Sequence, residues 1–159
     1  MSTEAKQATT IAAGQGRQLN VLGHTVNVML GGAETRGDSF VFETISPPGL
    51  FVPPHVHEHE DEYGYVIEGV FEVLLDGRTY EAGAGAIIHC PRRTSHGFRN
   101  IGSTLGRMIW LSTPGAQVER FFDELGALPA DAPPDMQKVV GIFTKYDIQV
   151  LPLPGTWAG

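Results

Sequence analysis

The stretch Gly49-Leu-Phe51-Val-Pro-Pro-His55-Val-His57-Glu-His59-Glu-Asp-Glu62-Tyr-Gly64-Tyr-Val-Ile-Glu-Gly69 decides how this chain reads. Successive side chains of a β-strand point to opposite faces, so His55 and His57 share one face, two rises apart. That spacing suits two imidazoles on one metal ion. Glu62 comes five residues later, which leaves room for a turn through 58–61 and a returning strand that sets its carboxylate beside the histidines. Imidazole and carboxylate donors suit zinc, iron, nickel, copper or manganese.

A second block lies downstream: Gly85-Ala-Ile-Ile-His89-Cys90-Pro91-Arg-Arg93-Thr-Ser-His96-Gly-Phe98-Arg-Asn100. Together the two blocks resemble the paired motifs of the cupin superfamily. Gly49, His55, His57, Glu62 and Gly69 match the first motif in full, and Gly85, Pro91, His96 and Asn100 match the second. Arg93 stands where the family usually has glycine, so a slightly altered turn before His96 is expected. The resemblance covers about residues 35–112. It implies an all-β, double-stranded β-helix (jelly-roll) barrel. It also implies that His96 joins His55, His57 and Glu62 on one divalent ion per chain: Fe, Mn, Ni, Co or Zn.

The rest of the chain agrees with such a domain. At 159 residues, with 42% hydrophobic and 18% charged, it is one soluble globular domain. Twenty glycines and eleven prolines predict many tight turns. The net charge of −7 argues against a nucleic-acid partner. The lone Cys90 excludes an internal disulfide framework and a cysteine-based zinc cluster, and is expected as a small buried side chain. The N-terminal residues contain no apolar core of a signal peptide, and no stretch approaches 18 consecutive apolar residues. A cytoplasmic protein that avoids membranes is the expectation.

Candidate strands are 20–30, 39–45, 63–67, 70–75, 78–81, 86–90, 95–100 and 106–111. Asp76-Gly77 between two β-rich runs predicts a hairpin turn. Residues 1–17 read as a flexible tail, 18–112 as the barrel and 113–159 as a helical extension packed on it. In that extension Thr113 and Pro114 are expected to open a helix that buries Val118, Phe121, Phe122 and Leu125 and stops at Gly126. A second helix over about 135–146 is expected to bury Met136, Val139, Val140 and Phe143.

Glu58, Glu60 and Asp61 read as a solvated acidic rim, His59 as a group in the turn, and His89 and His24 as satisfied core or rim histidines. Alternation from Glu62 points Gly64 inward, where the missing side chain is expected to leave room for a substrate. Phe98 shares the parity of His96, and Phe51, Met108 and Trp110 are further candidates for the pocket wall. An apolar pocket with one metal suits an aromatic, enol or polyketide-like small molecule. The leading reading is a metal-dependent dioxygenase similar to quercetin dioxygenase-like cupins, with Glu62 within hydrogen-bond reach as a catalytic base. The alternatives are a non-oxidative isomerase or cyclase, and a non-catalytic metal-binding barrel. Small cupins also imply a homodimer.

Overall fold

Arg17–Val21 (β1) and His24–Leu30 (β2) form an antiparallel hairpin in which Val21 pairs with His24. One continuous strand is the expectation over 20–30; instead Leu22 at φ 51° and Gly23 at φ 92° reverse the chain. The computed structural model describes residues 6–158. Arg17, expected in the tail, is already in β1, where its guanidinium meets Glu119 and Asp123.

After a single helical turn, Gly32–Thr35 (α1), the chain forms Phe40–Ser46 (β3), Phe51–His57 (β4), Asp61–Glu68 (β5), Val70–Leu75 (β6) and Arg78–Gly83 (β7). Ile87–Cys90 (β8), Ser95–Asn100 (β9) and Gly106–Thr113 (β10) follow. Next come the helices Ala116–Gly126 (α2) and Met136–Lys145 (α3), and a last strand, Ile148–Val150 (β11). A six-stranded sheet runs β1-β2-β3-β10-β5-β8, and a five-stranded sheet runs β11-β4-β9-β6-β7. The expected all-β architecture with C-terminal helices is present. Asp76 at φ 45° and Gly77 at φ 77° make the expected turn between β6 and β7.

Strand alternation sets the inner faces. Along β10 Gly106, Met108, Trp110 and Ser112 are buried, while the residues between them are part-exposed. Along β5 Glu62, Gly64 and Val66 are buried and Tyr63 and Tyr65 are exposed. Phe40, Phe71, Met108, Val26 and Val66 form the centre of the core. In β4, Pro53 and Pro54 fall where the pairing to β9 shifts register: Val52 opposes Phe98, and then His55 opposes His96. This bulge-like extra residue aims His55 directly across from His96.

The helices differ from expectation at their edges. Thr113 does not cap α2, because it is the last rung of β10, paired with Asp61, and the helix starts at Ala116. Val118, Phe121 and Leu125 are buried. The Asp135 carboxylate accepts from the backbone N–H groups of Gln137 and Lys138 and so caps α3. Only Val139 and Phe143 of the expected α3 stripe are buried; Met136 and Val140 face outward, because α3 packs on α2 and β11 along a narrow seam. Among the described residues no helix is long and apolar enough to cross a membrane.

Candidate metal centre

His55 and His57 on β4 and His96 on β9 come from the five-stranded sheet; Glu62 on β5 comes from the other. The donor atoms of these four buried residues all lie within 4.8 Å of one another. The ring centroids of His55 and His96 are 4.3 Å apart, and those of His55 and His57 are 5.1 Å apart. Glu62 Oε2 lies 2.9 Å from His96 Nε2 and 3.4 Å from His57 Nε2. Its other oxygen accepts from the Ser112 hydroxyl at 2.6 Å. Ser112 pairs with Glu62 across the β5–β10 ladder, so the ladder itself supplies this contact.

Outer contacts orient the imidazoles. His55 Nδ1 lies 2.8 Å from the Pro53 carbonyl, and His57 Nδ1 lies 3.2 Å from Glu60 Oε2. Each leaves Nε2 facing the centre, the usual way of preparing a histidine ligand. Glu60 is buried, not part of a solvated rim as the sequence suggests. The reading missed it because acidic residues in a turn are usually solvated; the signal was its place three residues after His57.

Charge follows from burial and proximity. Burial pushes the Glu62 carboxyl up, but His57 and His96 outweigh it and hold the group well below the usual carboxylate range. Burial lowers His57, and the carboxylates of Glu62 and Glu60 reverse the sign, leaving it raised. His55 is driven well below its ordinary value by burial and then by the charges of His96 and His57. His96 Nδ1 is buried and has no partner among the described residues. Three imidazoles and one ionised carboxylate, converging and shielded from water, are a donor set that fits one divalent transition ion.

The cluster borders a cavity of about 90 Å³ whose lining is almost entirely apolar. Phe51, Phe98 and Trp110 line it, as the sequence suggests. Met108 and Gly64 do not. Met108 is fully buried in the core. Gly64 faces inward, but the space above it is filled: a Cβ there would meet Trp110 Cζ3 at 2.8 Å and Cη2 at 2.9 Å. His24 is the satisfied core histidine expected, with Nδ1 2.9 Å from Ser46 Oγ and Nε2 3.3 Å from the Phe51 carbonyl; that its ring also lines the cavity was not foreseen. The sequence reading missed the helices too: Phe121, Phe122, Leu125 and Phe143 reach down from α2 and α3 to line the cavity.

Other residues lie outside. His59 is exposed and 2.9 Å from Asp147. His89, expected in the core or at its rim, is exposed and stacks on Tyr63. Cys90 is buried, and burial pushes its thiol up. Arg93 holds φ at 66°, the left-handed region that favours glycine, so its turn keeps a glycine's geometry instead of being altered. Its N–H donates to the His57 carbonyl at 2.8 Å.

The cupin domain family matches residues 41–112. Polyketide synthase CurC of Streptomyces cyaneus is 34% identical over 59% of this chain and 58% of its own length. Quercetin 2,3-dioxygenase of Bacillus subtilis is 28% identical over 73% of this chain and 34% of its own length. The chain thus spans about a third to three-fifths of these curated relatives. Among solved structures, KdgF from Halomonas sp. superposes with a TM-score of 0.62 at 24% identity, covering 68% of this chain and 94% of that one. The polyketide cyclase RemF from Streptomyces resistomycificus gives 0.58 at 24% identity, over 68% and 80%. These two likenesses show the fold.

Proposed function

We propose that this small cupin-domain protein is a metal-dependent dioxygenase acting on an aromatic, enol or polyketide-like small molecule. The observation that carries the reading is the buried cluster of three histidines and one glutamate at the wall of an almost wholly apolar cavity. His55, His57, His96 and Glu62 would hold the ion, which when bound supplies a Lewis acid and a meeting point for substrate and O2. Glu62, ionised at neutral pH with Oε1 engaged by Ser112 and Oε2 beside His57 and His96, would also serve as the base that takes the enol or phenol proton. Phe51, Phe98 and the aromatic side chains of α2 and α3 hold the rings and exclude water. The likeness to a quercetin dioxygenase supports this chemistry.

The test is oxygen uptake by metal-loaded protein with a panel of flavonols, catechols and hydroxyquinones. Uptake of O2 with both of its atoms recovered in the products, counting any carbon monoxide released, supports the reading; turnover without oxygen consumption overturns it. A second reading, non-oxidative cyclisation at the same ion, draws on the 34% identity to a polyketide synthase component. Product of unchanged mass identifies it, and retained metal with no turnover across the panel identifies a binding barrel instead. We place the protein in the cytoplasm as a homodimer. The edge strand β8 exposes Ile87 (76%) next to Tyr65, a face suited to a second copy. A monomer mass by light scattering removes the dimer.

A further inference from the structure

The apolar wall of the cavity begins at the cluster itself. The Phe143 ring stands edge-on to His55, with centroids 6.4 Å apart, and Phe121 packs on Phe143 at 4.8 Å. On the sheet side, Phe98 follows His96 two residues along β9, and the His24 ring lies edge-on to Phe98 at 6.0 Å.

Away from the cluster three polar side chains border the cavity, His24, Thr44 and Trp110, and none offers it a free polar atom. Thr44 Oγ1 and Trp110 Nε1 have almost no accessible surface, so both atoms are turned from the cavity. The His24 ring is engaged at both nitrogens. A carbonyl only accepts, so Nε2 donates to the Phe51 carbonyl, and Nδ1 accepts from the Ser46 hydroxyl. The backbone is closed in the same way. The register shift in β4 is where ladder groups would be left unpaired. Pro53 and Pro54 carry no N–H, and the carbonyls of Phe51, Pro53 and Pro54 accept from His24, His55 and the Leu151 N–H.

We propose that the pocket selects a ligand whose oxygen atoms all lie on one edge, held at the His55, His57, His96 and Glu62 cluster, with hydrocarbon everywhere else. A single ring with two adjacent hydroxyls and an alkyl group on the far side meets this requirement. A ring system hydroxylated on several sides does not. A hydroxyl carried into the far part of the cavity gives up its bonds to water and finds no partner there among the described residues. Phe98, Phe121 and Phe143 therefore set the selectivity together with the cluster. Ser46 and the Phe51 carbonyl act as positioning groups, because they keep the His24 nitrogens out of ligand binding. The proposal rests on the reading of the cavity as the substrate pocket of a metal centre, and narrows it.

The test uses the two catechols that carry an ethyl or a hydroxymethyl group para to one hydroxyl. They differ only in a terminal methyl or hydroxyl, on the side away from the ring oxygens. Each is titrated without O2 into cobalt-loaded protein, and Kd is read from the visible absorption of the ion, so that only binding at the ion is counted. Both should change the spectrum alike, and the ethyl compound should bind about tenfold or more tightly. Affinities within about threefold of each other, or a tighter hydroxymethyl compound, overturn the one-edge selectivity and leave the pocket reading standing. If neither compound changes the spectrum, the pocket reading fails and the selectivity with it.

Discussion

Glu60 Oε2 lies 3.2 Å from His57 Nδ1, with both side chains buried. A carboxylate behind a ligating imidazole fixes which nitrogen faces the metal and makes that nitrogen a better donor. Glu60→Gln keeps the shape and removes the charge. It should weaken metal binding by about 10–100-fold without unfolding the protein, as read by chelator competition alongside circular dichroism. Unchanged affinity would reduce Glu60 to a space-filling role.

His55→Ala combined with His57→Ala removes two of the four donors and should abolish metal binding, which in the wild type is expected near one ion per chain by elemental analysis. Adding metal to the metal-free wild type should raise Tm, since an ion at a hundredfold its Kd adds about 2.7 kcal/mol to the folded state. A double variant that keeps a full metal complement would misplace the site.

The metal-free protein should lose stability in mild acid. His55 and His24 have lowered pKa values, mainly through burial, so the unfolded chain takes up their protons first as pH falls below about 6.5. His57 is raised, so its contribution is fully present below about 6.5 and is lost as pH rises through its folded value; it partly offsets the other two. Below about 6.5 His57 is protonated in both states and no longer changes the slope, which there comes from His55 and His24: up to two protons, or as much as about 2.7 kcal/mol per pH unit. The Glu62 contribution persists until far lower pH, because its carboxyl is depressed. Urea titrations between about pH 7 and 5 measure the slope, and His24→Asn should flatten it.

Gly64→Ala should destabilise the protein by about 1–3 kcal/mol, the usual cost of overpacking a filled core. The new Cβ would stand 2.8 Å from Trp110 Cζ3, so the indole has to move. The φ of Gly64 is outside the left-handed region, so the cost is steric and not conformational. Metal content should be unchanged, since no ligand is touched. A fully stable Ala variant with an unmoved Trp110 would contradict this packing.

Arg93→Gly sets three small effects against each other. Relief of the left-handed backbone favours the variant by about 1–2 kcal/mol. Greater freedom of the unfolded chain costs about 0.5–1 kcal/mol. Loss of the exposed pair with Glu58, 2.7 Å apart, costs about 0–1 kcal/mol. Stability should therefore fall by no more than about 1 kcal/mol and rise by no more than about 1.5 kcal/mol, with metal binding intact. A larger loss in chemical denaturation would mean that the Arg93 side chain matters more than its backbone.

The sequence by itself determined the strand-rich fold, the Asp76-Gly77 hairpin and three residues of the buried cluster, His55, His57 and Glu62, with His96 supplied by the resemblance to the cupin motifs. Each is a short-range property or a motif of fixed spacing: alternation along a strand, turn chemistry, and residue types at set offsets. Even the inward direction of Gly64 follows from parity with Glu62. What lies in front of that glycine does not, because it depends on the β5–β10 register, which sets Trp110 opposite it. The same limit hid Glu60, whose burial comes from packing around the turn, and His24, which reaches the cavity only because the chain reverses at Leu22-Gly23. It also hid the cavity-lining role of Phe121 and Phe143, since helical periodicity specifies an apolar stripe but not the surface it covers. Contacts between distant segments are fixed by register and sheet closure, and those arise only once the whole barrel has formed.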